Sequence, residues 1–256
     1  MNLAPNSLMQ RVIVASLAFA ALPAVAGDLR VLTAGAFKPV LLEQVAAFEQ
    51  ASGVHLLIQT DTAGALNRRV AAGERFDVLF ITQGAIAGLA AQGRVDVATT
   101  APLAKVGIGV GVRQGAPLPD ITSVESFRST LLAARAIATV DPAAGGSSGI
   151  YLWDLFDRWG IGATLRSHAV LVPGGLAADR ITSGEADLAL QQTSEILAAP
   201  GITLVGPIPA EIQNFTIYSG VVASAADDRA QAIALLSFLQ RPAVRARLAD
   251  KGMQPP

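Results

Sequence analysis

From residue 29 onward, short β-branched and aliphatic runs alternate with longer segments of helical periodicity. That alternation restricts the chain to folds built on largely parallel sheets covered by helices. Residues 29–33 read as the first strand; its helix follows from about Pro39, with Leu41, Leu42, Val45 and Phe48 on one face and Gly53 as the stop. Residues 54–59, 64–72, 76–81 and 85–91 repeat the strand–helix order. Residues 105–112 alternate apolar side chains with glycine, as in a strand that another backbone approaches closely, and are expected to carry the chain out of a first lobe. The alternation then restarts, with helices at 124–133, 148–159 and 176–183 and strands at 136–140, 168–172 and 186–190. Strands at 202–205 and 215–223 follow, the second returning the chain to the first lobe, and helices at 227–239 and 242–249 close it. The expected architecture is α/β and two-lobed, each lobe a mainly parallel sheet flanked by helices. Lobe 1 takes residues 27–110 and 213–256, lobe 2 takes 111–212, and a ligand cleft lies between them at the carboxyl ends of the strands.

The first 26 residues carry one basic side chain, Arg11, and no acidic one, with an apolar run from Val12 to Leu22 before Pro23-Ala24-Val25-Ala26. This is the layout of a secretory signal peptide cleaved after Ala26, and it implies a periplasmic product. The run is too short for the ~20 residues that cross a bilayer. Nineteen basic and 20 acidic side chains nearly cancel, which speaks against nucleic acid as a partner. The chain has no cysteine, so disulfides, thiolate nucleophiles and Cys-ligated metals are excluded. Two histidines without an acidic cluster at helical spacing give no zinc or iron site, and neither a metal nor a cofactor is expected.

One enzyme motif is present in form. Gly145-Gly146-Ser147-Ser148-Gly149 fits the Gly-x-Ser-x-Gly turn of a hydrolase nucleophile. A triad also needs a histidine and an acid, and the available histidines are His55 and His168, the latter inside an expected strand. The turn suits anion binding better, because a helix start leaves backbone N–H groups unpaired and carries partial positive charge; the plainer alternative is a serine that only caps its helix. The turn Thr33-Ala34-Gly35-Ala36-Phe37-Lys38 repeats this logic, and a cation at Lys38 opposes the helix dipole unless an anion faces it. Thr60-Asp61-Thr62-Ala63-Gly64 and Pro173-Gly174-Gly175 are two more such turns, while Gln191-Gln192-Thr193 offers amides suited to a carboxylate or polyol. Trp153, Phe156 and Trp159, spaced by three, read as core, and Arg68, Arg69 and Arg180 as solvated.

Several segments occur together in order: Val31-Leu-Thr-Ala-Gly-Ala-Phe37, Phe48-Glu-Gln-Ala-Ser-Gly-Val54, Ala63-Gly-Ala-Leu66, Phe76-Asp-Val-Leu79, Ser148-Gly-Ile-Tyr151, Gly184-Glu-Ala-Asp187 and Gln240-Arg-Pro-Ala-Val244. Over nearly all of the chain beyond residue 26, the sequence thereby resembles the periplasmic molybdate-binding proteins and their relatives, type II solute-binding proteins of ABC transporters. The resemblance implies a monomer that captures a small anion, a molybdate-like oxyanion or small carboxylate, and presents it to an inner-membrane permease without turnover. In that family the first two turns each supply a serine hydroxyl, the next two supply backbone N–H groups, and a tyrosine after Gly-Glu-Ala-Asp closes over the oxyanion. Those positions fall on Ala36, Ala63, Ser148, Gly174 and Gln192. Three hydroxyl donors are thus absent, which argues against tight molybdate binding. Thr33, Phe37, Lys38, Thr62, Ser147 and Gln191 stand beside them and complete the candidate binding set for a different anion. Two alternatives remain open at this point: an exported serine-hydrolase-like enzyme using Ser147, and a solute sensor that docks on a membrane receptor.

Overall fold

The computed structural model describes residues 27–256, so the expected signal peptide lies outside the described residues. The first lobe opens with β1 (Asp28–Ala34), α1 (Lys38–Ser52), β2 (His55–Asp61), α2 (Ala63–Ala71), β3 (Val78–Thr82), α3 (Gln83–Ala91) and β4 (Val95–Val106). The second holds β5 (Ile108–Arg113), α4 (Val124–Ala133), β6 (Ile137–Val140), α5 (Ser147–Arg158), α6 (Gly162–Arg166), β7 (Ala169–Val172), α7 (Asp179–Thr182), β8 (Leu188–Gln192), α8 (Thr193–Leu197) and β9 (Ile202–Pro207). The chain then returns through β10 (Thr216–Ala223), α9 (Arg229–Leu239), α10 (Pro242–Ala246) and the two-residue β11 (Met253–Gln254).

Two sheets result, ordered β11-β4-β10-β3-β1-β2 and β7-β6-β8-β5-β9. Each has a parallel part made of βα units at one end of the sheet, β2-β1-β3 in one and β7-β6-β8 in the other. The strands that carry the chain between lobes, β4, β5, β9 and β10, add on antiparallel, so both sheets are mixed. β4 in the first sheet and β5 in the second are separated by Gly107 alone. Gln213 laces the two passages together: its amide accepts from the Ile108 N–H at 2.8 Å and donates to the Ile108 carbonyl at 2.9 Å. A side chain at Gly107 would meet that amide at 3.0 Å, which is why a glycine sits there.

Separate cores hold the lobes. In the first, Phe37, Phe48 and Phe80 are fully buried, with Phe37 and Phe80 stacked 5.0 Å apart. In the second, Trp153 and Phe156 pack edge to face, and the indole N–H donates to Thr139 Oγ1 at 2.9 Å. Each such ring contributes about 1.5–3 kcal/mol through burial. Among the described residues no helix is long and apolar enough to cross a membrane.

Three elements depart from the expected pattern. Residues 95–104 belong to β4 although Pro102 interrupts the run; the proline lies opposite Ser219 beside a register shift, where a missing N–H costs least. The helix expected over 176–183 shrinks to the four residues of α7, and α8 appears directly after β8.

Candidate functional site

The loops after β1 and β2 face the loops after β6, β7 and β8 across the cleft, and the lobes touch there. The Gly64 N–H donates to the Gly145 carbonyl at 2.9 Å and the Thr62 hydroxyl to the Ala144 carbonyl at 2.5 Å. From the other side, the Ser194 hydroxyl donates to the Ala36 carbonyl at 2.8 Å. The closed cleft retains a cavity of about 650 Å³, within the range of small-molecule sites.

The structure brings most of the candidate binding residues onto this cavity: Ala36, Lys38, Thr62, Ala63, Ser147, Ser148, Gly174 and Gln191 line it. Ser147 is the first residue of α5, whose N-cap is Gly146 without any side-chain cap, so the serines do not merely cap the helix. Lys38, exposed at the start of α1, is the cation of the wall. Thr62 caps α2 by accepting from the Ala65 N–H, so its hydroxyl is already committed. Gln191 is committed as well: its amide accepts from the Ala177 N–H at 2.7 Å and donates to the Gly175 carbonyl at 2.9 Å, which fixes the fourth turn. That turn leads into a helix of only four residues, so it offers little dipole.

Three candidates stand off the wall. Phe37 is turned into the first core against Phe80, because an aromatic side chain at the N-cap of α1 gains more from that burial than from a polar cleft. Thr33 is fully buried in β1 and its hydroxyl donates to the adjacent Ala34 carbonyl. Gln192, also buried, donates to Ser147 Oγ and Thr216 Oγ1, each at 3.1 Å, and so supports the wall from behind. The hydrolase arrangement is absent: Ser147 Oγ contacts the Tyr218 hydroxyl at 3.2 Å and the Gln192 amide, while His55 pairs with Glu49 and His168 lies against Ser167.

Sequence reasoning missed two titratable lining residues, Glu195 and Tyr218. Glu195 projects from α8 toward the β1–α1 turn so closely that a methyl at Gly35 would lie 2.6 Å from its Oε1. Burial pushes its carboxyl up to about 8, with a hydrogen bond from Gln191 opposing the rise. Tyr218, 3% exposed on β10, is held well above the usual phenol range by burial and then by the nearby Glu195 charge, with hydrogen bonds from Ser147 and Gln192 working the other way. Where the resembled family places a tyrosine at position 192, this chain supplies a phenol from a different strand. Neither residue sits in a local pattern that marks it; the signal is tertiary.

The sequence profile described as bacterial extracellular solute-binding protein matches residues 29–254. The chain belongs to this family. Among its relatives, an aconitate isomerase of a Pseudomonas species is 35% identical over 233 residues, covering 89% of this chain and 87% of the relative. Among solved structures, the periplasmic molybdate-binding protein of Azotobacter vinelandii superposes with a TM-score of 0.74 at 20% identity, covering 89% of this chain and 99% of that one. The sulfate-binding protein SubI of Mycobacterium tuberculosis gives 0.70 at 19% identity, covering 90% and 87%. These likenesses establish the two-lobed binding-protein fold. The isomerase corrects the expectation of a binder without turnover: a relative this similar over nearly its full length is named for a reaction.

Proposed function

We propose that this solute-binding protein is an exported isomerase that closes on a small unsaturated polycarboxylate of the aconitate class and moves one of its protons with Glu195. The observation that carries the reading is a carboxyl in the cleft wall that burial pushes up to about 8, in a chain with an isomerase relative. A general acid–base works best with its pKa near the operating pH. Aconitate has a methylene flanked by a double bond and a carboxylate. Ionised Glu195 takes one methylene proton, and the electron pair spreads over the allylic carbons and the attached carboxylate. Return of the proton at the other allylic end shifts the double bond, which re-forms in either geometry. One proton leaves and one returns, with no oxidant or reductant consumed. Lys38 and the starts of α1, α2 and α5 supply the positive field for several carboxylates. The export-type N-terminus and the family together support a periplasmic location.

Purified protein given cis-aconitate in deuterated buffer is expected to form the trans isomer, read by proton NMR. Activity as kcat/KM should rise with pH and level off above about 8, and Glu195→Gln should lower it about 100-fold or more. A protein stabilised by aconitate against heat that never changes its isomer ratio would refute the reading. That outcome would favour the second reading supported by family membership, in which the cleft captures a small anion for a membrane permease.

A further inference from the structure

The hydroxyl pair beside Glu195 is not used by the proton shuttle just described. Tyr218 comes from β10 of the first sheet and Ser147 from α5 of the second lobe, and both line the cavity. Behind them, the Gln192 amide donates to Ser147 Oγ and Thr216 Oγ1 at 3.1 Å each, while its own carbonyl oxygen is buried without a partner. The reverse orientation would bury an NH2 group with no acceptor, and an unpaired carbonyl is the better tolerated of the two. The orientation matters for counting protons. Ser147 Oγ already receives the amide, and the two hydroxyls 3.2 Å apart share one contact but own two protons. One O–H is therefore left without a protein acceptor. Either hydroxyl can donate to the other; with a carboxylate in the cavity the phenol, the stronger acid, is the better donor to it, and the chain then runs from Gln192 to Ser147, from Ser147 to Tyr218, and from the Tyr218 O–H to that carboxylate. Donors aligned in this way reinforce one another.

We propose that Tyr218 is a second catalytic residue, whose O–H donates to the substrate carboxylate that takes up negative charge as Glu195 withdraws the methylene proton. This rests on the isomerase reading above. The C–H bond breaks, its proton goes to the Glu195 carboxylate, and its electron pair flows through the allylic carbons into that substrate carboxylate. The Tyr218 proton stays on the phenol throughout. Burial keeps it there at every pH at which the reaction runs, and a donor fixed in a dry site acts without having to reorganise. Ser147 and Gln192 are positioning residues that aim it.

Tyr218→Phe retains the ring and removes the donor. It is expected to lower kcat about 100-fold, with KM within about threefold of wild type, aconitate still raising the melting temperature, and the Glu195-dependent pH profile intact. Ser147→Ala keeps the phenol but removes the group that orients it, and should show the same kcat-over-KM split at about tenfold; it carries the test if Tyr218→Phe does not fold. An active wild type alongside variants with unchanged kcat, or with losses confined to KM, overturns this assignment alone. A wild type that binds aconitate without isomerising it removes both the isomerase reading and this one.

Discussion

Glu195 keeps its proton because the fold takes its carboxyl out of water, an effect that a hydrogen bond from Gln191 offsets only in part. Its value of about 8 in the folded chain lies above the 4.5 of the free group. Between these limits the folded state binds more protons than the unfolded one, so the carboxyl makes stability fall as pH rises. The stability it retains is complete below 4.5 and is lost as pH climbs through 8, at up to about 1.4 kcal/mol per pH unit. Glu195→Gln preserves the shape and cannot ionise. Its melting temperature should match wild type near pH 5 and exceed it by roughly 10 °C at pH 9, since each kcal/mol is worth about 2–4 °C in a chain of this size. Thermal denaturation at pH 5, 7 and 9 decides this: melting curves that stay parallel across the series would mean Glu195 is ionised and solvated in the folded protein.

Two elements meet at that carboxyl, the turn between β1 and α1 and the short helix α8, and Gly35 sets how closely. A methyl there would lie 2.6 Å from Glu195 Oε1. That atom ends a flexible side chain, so Gly35→Ala should fold with a cost of about 1 kcal/mol or less while displacing the carboxyl by a fraction of an ångström to an ångström. Misplacement on this scale costs up to about 100-fold in rate, so kcat should fall at least tenfold with the melting temperature nearly unchanged, by steady-state kinetics and thermal shift on the same sample. The β1–α1, β2–α2 and β6–α5 units were legible in the sequence, because apolar periodicity and small residues at their turns act over a few neighbours. β4 was not, since Pro102 and the threonines at 99 and 100 hide a strand whose pairing is set by β10. α7 and α8 were not, being too short to show a period. At the site, Ser147 and Lys38 were readable from helix-start chemistry. Glu195 was not, three residues beyond amides already chosen, because its proton affinity comes from burial by a segment far away in the chain. Tyr218 sits inside a strand where a tyrosine reads as core.

At the scale of the whole molecule, closure depends on two backbones meeting. Gly64 on α2 and Gly145 before α5 approach so closely that a Cβ on either lies 2.6 Å from the other's Cα, and the Gly64 N–H bonds across the gap. Unlike the contact at Gly35, neither partner here is the free end of a side chain, so an added methyl can be accommodated only by parting the lobes. Gly145 has a φ of 84° and would be strained by any substitution, whereas Gly64 is helical and accepts alanine within its own lobe. Gly64→Ala therefore isolates closure from folding. Each lobe keeps its own aromatic core, so the unliganded melting temperature should stay within a few degrees of wild type. Aconitate should bind at least tenfold more weakly, and small-angle scattering should no longer detect compaction on its addition. Turnover should fall further than binding, because Glu195 and Ser147 reach the cavity from the second lobe and Tyr218 from the first, and only the closed form brings them around one substrate. A Gly64→Ala protein with wild-type turnover would mean instead that the reaction proceeds on one lobe, which would separate Tyr218 from the chemistry assigned to Glu195.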